Sequence, residues 1–159
     1  MVSDAAADRA DRVAREFGAK VVAPAEIESA QVDVFAPCAF GGGLSARTIP
    51  ALRCSVVAGA ANNQLLADAD GALLEQRDIA YAPDFIANAG GVICAAIEYR
   101  GGTEGAAFAF IDEKIRANTE AVLAEVQRSG TLPRAAALAL ARERVRRAMR
   151  TRRWEAATE

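Results

Sequence analysis

The chain has 159 residues, enough for one domain and too few for two full ones. A net charge of -2 gives no overall field that would favour nucleic acid, and no run of about 18 apolar residues is present to cross a membrane. Histidine is absent from the sequence, which excludes histidine-dependent triads and histidine zinc sites, and three scattered cysteines do not form a metal site.

The first residues and the cysteines both bear on the cellular compartment. The start, MVSDAAADRADR, lacks the basic and apolar parts of a secretory signal. Cys38, Cys54 and Cys94 are odd in number and widely spaced, which suits reduced thiols rather than a disulfide framework. We therefore expect a cytoplasmic protein.

In chain order, the first half is predicted to alternate helices with short strands. A helix over residues 4–17 carries Val13 and Phe17 four positions apart, and Gly18 suits its C-terminal cap. The elements predicted after it are a strand over 20–23, a helical turn over 24–30, a strand over 32–36 ended by Pro37, and a strand over 55–59.

The second half is predicted to be mainly helical, with boundaries set by glycine, proline and aspartate. Asp84 is predicted to cap the helix that follows a short strand over residues 79–82. The predicted helices are residues 62–77 with an interruption at Gly71, a helix from about Phe85, a long helix beyond Gly105 that runs to Arg128 and ends at Gly130, and a last helix from Pro133 to about Arg153.

Strands that alternate with helices predict a parallel, doubly wound sheet with the two terminal helices packed on it. In such sheets, ligands bind outside the carboxyl ends of the strands. Asn62 and Asn63 follow one predicted strand, and Asn88 follows the next, just before Gly90 and Gly91. The two segments are therefore interpreted as two walls of one ligand crevice.

Residues 41–46, GGGLSA, fit the dinucleotide-binding pattern G-x-G-x-x-G/A and follow a strand. The next strand should then end in an acidic residue, but it ends in Gly59. Pro50 also lies too close for a long helix to begin at Gly43. We interpret this loop as a flexible turn at the edge of a ligand site, not as a pyrophosphate loop.

Four segments, PCAFGGGLSARTIPALR, VVAGAANNQL, YAPDFIANAGGVI and PRAAALALARERV, resemble the C-terminal part of leucine, phenylalanine and valine dehydrogenases. These enzymes belong to the Glu/Leu/Phe/Val dehydrogenase family, and the resemblance runs over residues 4–149. It implies a two-domain enzyme with a substrate-binding domain first and an NAD-binding domain second. Such an enzyme oxidatively deaminates an L-amino acid to a 2-oxo acid and ammonia. The three amide residues from Asn62 to Gln64 resemble those of the family members that act on branched-chain and aromatic amino acids.

The resemblance implies two groups of residues that bind NAD. Asp4 would bind the adenosine ribose hydroxyls, with a cap of the first helix as the alternative. The loop of Pro37, Cys38 and Ala39 would line the adenosine side, and Cys38 is interpreted as a small packing residue rather than a reactive thiol. The residues implied at the nicotinamide end are Ala61 and Asn62, beside its ribose and carboxamide, and Asn88, facing the carboxamide.

The same resemblance implies a substrate site beside the nicotinamide. Asn63 would help to hold the substrate carboxylate, and one of the two adjacent asparagines could instead only cap a helix. Gly91 would allow a close approach of backbone and ligand. Val92 and Ala95 would line the amino-acid side-chain pocket, and the small Ala95 hints at a larger substrate such as phenylalanine.

No residue of this chain matches the family's catalytic lysines, its catalytic aspartate or its pyrophosphate loop, so no catalytic residue is assigned. The implied fold is an α/β, incomplete Rossmann-like, doubly wound parallel sheet of strands three to six with two C-terminal helices. Residues 1–102 would be a partial NAD(P)-binding domain, and residues 103–159 would be helices packing on it.

In the strand order 3-2-1-4-5-6 of a Rossmann domain, residues 1–4 would be the stump of strand two, and the predicted strands over residues 20–23 and 32–36 would be strands three and four. Strand three should then have no neighbour, and strand four should present an open apolar edge. We expect a fragment from a truncation, a gene-start error or a split gene. It would be marginally stable, or would form a homo-oligomer or pair with a missing N-terminal substrate domain.

Two other functions are weighed against the dehydrogenase. The chain could be a non-catalytic nucleotide-binding or assembly module from a truncated or split gene. Residues 142–153, RERVRRAMRTRR, could bind nucleic acid, but they lack interleaved aromatic residues and are more typical of a solvated helix face. We expect neither nucleic acid nor a membrane as a partner.

Overall fold

A small parallel sheet lies at the centre of the computed structural model, which describes residues 1–151. Its strands β1 (Val34–Phe35), β2 (Val56–Val57) and β3 (Ala80–Tyr81) pair in the order β1-β2-β3. The register places Val34 beside Val56, and Val56 beside Ala80. Because the strands are parallel, their carboxyl ends and the loops that follow lie along one edge. The predicted α/β class with a parallel sheet is confirmed.

Helices precede, connect and follow these strands within residues 1–151. No helix of this part combines the length and the apolar character needed to cross a bilayer. The α-helices are α1 (Ala7–Phe17), α2 (Asp70–Glu75), α3 (Asp84–Ala87), α4 (Gly90–Tyr99), α5 (Glu104–Ser129) and α6 (Pro133–Thr151), and three-residue 3-10 helices lie at Ile27–Ser29 and Ile49–Ala51. The end of the last helix predicted at Arg153 lies outside the described residues.

Two apolar clusters hold these elements together. The first packs β2 and β3 against α2 and the segment before β2, and it consists of Leu44, Ile49, Leu52, Val57, Leu74, Ile79 and Tyr81. The second joins α3, α5 and α6 through Ile86, Val122, Ala136 and Ala137. Burial of this apolar surface contributes more to the free energy of unfolding than the few hydrogen bonds of such short strands. The two long helices are therefore attached to the sheet through α3, which directly follows β3.

The predicted strand over residues 20–23 is reduced to a single bridge, in which Val21 pairs in parallel with Val2. The Val2 N–H donates to the Lys20 carbonyl, and the Val22 N–H donates to the Val2 carbonyl, both at 2.9 Å. The expectation that this strand has no neighbour was wrong, because residues 1–4 supply one. At the edge of the described sheet, β1 exposes 53% of Val34, as expected for an open apolar edge.

The helix predicted over residues 62–77 was mostly wrong, because only Asp70–Glu75 is helical. The preceding residues form bends, turns and a single bridge, in which Leu44 pairs in parallel with Leu65. Asn63 takes a left-handed conformation with φ of 50°, which breaks any helix at that point. Gly71 lies inside α2 rather than interrupting it. Tertiary hydrogen bonds of this segment outweigh the local helix propensity.

Helix ends were predicted with mixed success. Gly18 and Gly130 cap α1 and α5 in the left-handed conformation, as predicted. Asp84 is not a cap, because α3 begins at Asp84 itself with Pro83 at the cap position. The helix predicted from Phe85 is divided between α3 and α4, with Asn88 and Ala89 between them.

A methyl group at Gly59, in the loop after β2, is expected to destabilise the fold. An added Cβ would lie 2.2 Å from the Pro37 carbonyl oxygen and 2.5 Å from the Pro37 nitrogen, so backbone must move. We expect Gly59→Ala to lower the free energy of unfolding by about 2–3 kcal/mol in urea titrations. As a control, Gly105→Ala in α5 meets no atom within 4 Å and should leave it unchanged or raise it by up to about 1 kcal/mol. Equal stability of the two variants would contradict this account.

Candidate crevice at the carboxyl edge of the sheet

The two loops that follow β2 and β3 are joined directly by their asparagines. The Asn88 Nδ2 donates to the Asn62 Oδ1 at 2.7 Å and, more weakly, to the Ala61 carbonyl at 3.4 Å. Asn62 lies in the loop after β2, and Asn88 ends α3, which follows β3. The structure therefore brings together the two segments predicted as walls of one crevice.

Residues 59–64 form the first wall, here called the amide loop, and the glycine turn after β1 supports it. The Gly42 N–H donates to the Asn63 carbonyl at 2.7 Å, and the Leu44 N–H donates to the Gln64 carbonyl at 2.9 Å. A Cβ at Gly41 would lie 2.7 Å from the Asn62 carbonyl oxygen, so only glycine fits there. This turn continues into the Leu44 bridge and a three-residue 3-10 helix, so the prediction that no long helix follows GGGLSA is confirmed.

Gln64 closes the amide loop from inside the protein. The side chain is fully buried, and its Nε2 donates to the Gly59 carbonyl at 2.8 Å and to the Ala61 carbonyl at 3.0 Å. In the sequence, Gln64 belongs to the amide motif, and the motif alone indicates no separate role for it. The available signal was a long polar side chain directly before the apolar pair Leu65–Leu66.

A buried carboxylate ties the amide loop to the C-terminal helices. Asp84, only 4% exposed, accepts from the Gln64 N–H at 3.4 Å and from the Phe85 N–H at 2.9 Å. Arg134, at the start of α6, lies 3.4 Å from Asp84 and 2.8 Å from Asp68, with its guanidinium over the Phe85 ring. These two ion pairs were not predicted, because Arg134 is far from Asp68 and Asp84 in sequence.

The predicted nicotinamide residues differ in accessibility. Asn62 and Asn63 are exposed, and Asn88 is half-buried. Ala61 is only 4% exposed, so its side chain faces the interior, and its backbone N–H donates to the Pro37 carbonyl at 2.9 Å. At this position the backbone, rather than the side chain, therefore forms the hydrogen bond to the neighbouring loop.

The predicted adenosine residues lie on two separate segments. The loop after β1 leaves Cys38 and Ala39 exposed, so the interpretation of Cys38 as a packing residue was wrong. Asp4 precedes α1, where its carboxylate accepts from the Ala6 N–H at 2.9 Å and pairs with Arg9 at 3.3 Å. Ala6, not Asp4, occupies the cap position of α1. The assignment of these residues to NAD stays a prediction.

The predicted substrate residues lie on α4, which has no buried residue although it is strongly apolar. Gly91 and Ala95 are exposed, and Val92 is 76% exposed. The other side of α4 lines a groove of about 360 Å³ against α5, with Cys94, Ile97 and Phe108 among its lining residues. The predicted substrate residues do not line this groove, so the two faces of α4 are distinct.

The described residues contain no cluster of three or more histidine, cysteine, aspartate or glutamate side chains placed to hold a metal ion. The lysines also lie away from the amides. Lys114 pairs with Glu113 at 2.6 Å on the surface of α5 and lies over the Phe110 ring. Lys20 precedes the Val2–Val21 bridge. The groups that the structure joins here are thus the neutral amides of Asn62 and Asn88, and the amide loop is bonded to the Asp84 carboxylate through the Gln64 N–H.

Comparison with known proteins identifies the family. The family model for Glutamate/Leucine/Phenylalanine/Valine dehydrogenase matches residues 3–153. The chain belongs to this family. The resemblance read from the motifs is therefore confirmed.

Individual relatives agree with this assignment. The leucine dehydrogenase of Geobacillus stearothermophilus is 41% identical over 145 residues, which are 91% of this chain and 39% of that protein. The phenylalanine dehydrogenase of Thermoactinomyces intermedius is 40% identical over 123 residues, covering 76% of this chain and 31% of that one. The crystal structure of L-tryptophan dehydrogenase from Nostoc punctiforme superposes with a TM-score of 0.87 at 41% identity, covering 94% of this chain and 45% of the other. The chain therefore spans less than half the length of these relatives.

The buried hydroxyl of Tyr81, the last residue of β3, should make the free energy of unfolding fall at high pH. Burial, followed by the Asp84 carboxylate, raises the pKa of Tyr81 to about 12. An unfolded tyrosine ionises at about pH 10. The contribution of the protonated Tyr81 hydroxyl to stability is therefore complete below about pH 10 and is lost as the pH rises through about 12. At about pH 11 the free energy of unfolding should already be lower by about 1 kcal/mol. Urea unfolding of the wild type and Tyr81→Phe at neutral and high pH tests this. The variant should lose less stability, and equal losses would contradict the assignment.

Removal of the Arg134 guanidinium should destabilise the protein, because the buried Asp84 carboxylate would lose its cation. We expect Arg134→Met to lower the free energy of unfolding by about 1–2 kcal/mol, and the loss should shrink when Asp84→Asn is already present. Arg116→Met is the matched control, because Arg116 pairs with Asp112 on the exposed surface of α5 and should cost less than about 0.5 kcal/mol. Additive effects in the double variant would show that the two groups do not interact.

Proposed function

We propose that this chain forms the NAD-binding part of an amino-acid dehydrogenase. The enzyme would oxidatively deaminate a branched-chain or aromatic L-amino acid to a 2-oxo acid and ammonia, in the cytoplasm. The observation that carries the proposal is the asparagine pair, Asn62 and Asn88, at the carboxyl edge of a parallel sheet in a member of this family. The relatives named leucine, phenylalanine and tryptophan dehydrogenase support the substrate class.

The hydrogen-bonding groups of the asparagine pair fit a carboxamide. The Asn62 Oδ1 is occupied by the Asn88 Nδ2. The Asn62 Nδ2 can then donate to a ligand, and the Asn88 Oδ1 can accept from one. A nicotinamide carboxamide offers the complementary acceptor and donor. Bound NAD would supply the hydride acceptor, and the two amides would fix the orientation of its ring without adding charge beside it.

The remaining binding roles follow from position along the same edge and along α4. Asn63, held in a left-handed conformation, would present its amide to the substrate carboxylate. Gly91, Val92 and Ala95 would form one wall of the side-chain pocket, and Ala95 leaves room for an aromatic group. Pro37, Cys38 and Ala39 would line the adenosine side. Asp4 would bind the ribose hydroxyls, for which it must share its carboxylate with Arg9.

Neither lysine of the chain lies in the amide loop, in α3 or in α4, so the segments assigned to the crevice offer no lysine that could act as the general base. We infer that turnover requires the additional length that the relatives carry. The exposed apolar side chains of α4 and α5 support contact with such a partner, because Val92, Tyr99 and Phe108 are each at least 65% exposed. Whether that contact is made by a substrate domain or within a homo-oligomer stays a prediction.

The proposal is tested by supplying the missing part. We expect the isolated chain to show weak or no NADH binding in fluorescence titrations and no NAD reduction with a panel of L-amino acids. A chimaera that joins the N-terminal part of the Nostoc punctiforme L-tryptophan dehydrogenase to this chain should oxidise an aromatic or branched-chain amino acid with NAD.

Two variants of the chimaera separate the roles of the amides. Asn88→Ala should raise the KM for NAD, and Asn63→Ala should raise the KM for the amino acid, each by about tenfold or more, because each loses one oriented hydrogen-bonding group. Gln76→Ala is the control and should change neither constant, because Gln76 is exposed and lies between α2 and β3, at the opposite edge of the sheet. Turnover by the isolated chain, or a folded chimaera that neither binds NADH nor turns over, would overturn the proposal.

A further inference from the structure

We propose that Gln64 is a positioning residue whose buried amide holds the loop that presents Asn62 and Asn63 in its working shape. It would act through the loop backbone and would not touch the cofactor or the substrate. Its consequence for catalysis rests on the function proposed above. Its consequence for the loop does not, and the two can be tested separately.

The side-chain amide of Gln64 replaces the hydrogen bonds that a strand or helix would give. Residues 59–64 lie outside every helix and strand. Within them, the Gly59 and Ala61 carbonyls both accept from the Gln64 Nε2, at 2.8 and 3.0 Å. The Oε1 has no hydrogen-bond partner among residues 1–151. The amide orientation is therefore set by the two loop carbonyls, which both need a donor.

The backbone of Gln64 is fixed from two sides. Its carbonyl accepts from the Leu44 N–H at 2.9 Å, after the glycine turn, and its N–H donates to Asp84 at 3.4 Å, in α3. The side chain is fully buried between these contacts. Gln64 thus connects the amide loop to both segments that flank it in space, and the Nε2 bonds transmit that fixed position back to Gly59 and Ala61.

The connection extends to the asparagine pair. The Ala61 carbonyl that accepts from Gln64 also receives the weaker bond from the Asn88 Nδ2, at 3.4 Å. Asn62 is the next residue along the chain and accepts the strong bond from the same Asn88 nitrogen. A shift of the Ala61 carbonyl must therefore displace one partner of the crevice pair. This makes Gln64 more than a core-filling side chain.

Gln64→Glu is the sharpest test because it keeps the size of the side chain and makes its donor depend on pH. A protonated carboxyl can donate to one of the two carbonyls, whereas an ionised one cannot donate and faces both carbonyl dipoles. Burial and the nearby Asp84 carboxylate should raise the pKa of the introduced group. The folded loop is then favoured below the unfolded-state pKa of about 4.3 and is lost as the pH rises through the raised value.

The measurement is backbone amide hydrogen exchange of the full chain, as protection factors corrected for intrinsic exchange, with the side-chain amide resonances of Asn62 and Asn88. At neutral pH, Gln64→Glu should reduce protection of the amides at 61, 42 and 44 by at least about tenfold and shift both resonances, because the loop's internal donor is lost. Protection should return on acidification. Gln64→Met should show the same loss at every pH. Gln76→Glu, an exposed glutamine at the end of α2, is the control and should show neither effect.

Three results would overturn the proposal: unchanged protection in both Gln64 variants, a loss in Gln64→Glu that does not depend on pH, or a loss spread equally over β2 and β3. If Gln64→Met does not fold, recovery of Gln64→Glu on acidification still decides the question. An NADH titration of the chimaera tests the proposed function independently. Failure of NADH binding with pH-dependent loop protection would refute the function and leave the positioning role intact.

Discussion

The crevice depends on the parallel register of three strands of only two residues each. Pairing Val34 with Val56 and Val56 with Ala80 brings three loops, far apart in sequence, to one edge of the sheet. Strands this short contribute few ladder bonds, so the register is held by the apolar cluster around Val57 and Tyr81. Because Asn62 and Asn88 lie in the segments that follow β2 and β3, a change of register would separate them.

Buried polar groups then fix the loops that the register brings together. Gln64 and Asp84 are buried at positions where apolar residues would cost less to desolvate. Each is matched by specific partners: two carbonyls for Gln64, and two backbone N–H groups with Arg134 for Asp84. Such groups favour one arrangement over others, because any alternative leaves further buried donors or acceptors, besides the Gln64 Oε1, without a partner. The precision of the crevice thus comes from polar contacts, and its stability from the apolar clusters.

The apolar surface of α4 has a different meaning. A helix with this composition is normally covered on most sides, yet α4 packs mainly against α5 and exposes Val92 and Tyr99. The relatives that match this chain are more than twice its length. Both facts agree with the proposal that α4 contacts a part of a longer protein that lies outside this chain.

The sequence alone determined the features that depend on neighbouring residues or on motif. Gly18 and Gly130 end helices because the left-handed conformation needs no partner elsewhere, and the positions of the strands follow from short apolar runs. The family and the crevice between the two amide segments were also predicted, since the motifs carry them.

Three predictions were wrong: the helix through Asn63 and Gln64, the cap role of Asp84, and the strand at Val21 without a neighbour. In each case a distant partner decided the outcome: the Leu44 and Asp84 contacts of Gln64, the Arg134 guanidinium, and the backbone of Val2. Local propensity carries no information about such partners, so only the tertiary structure could decide these elements.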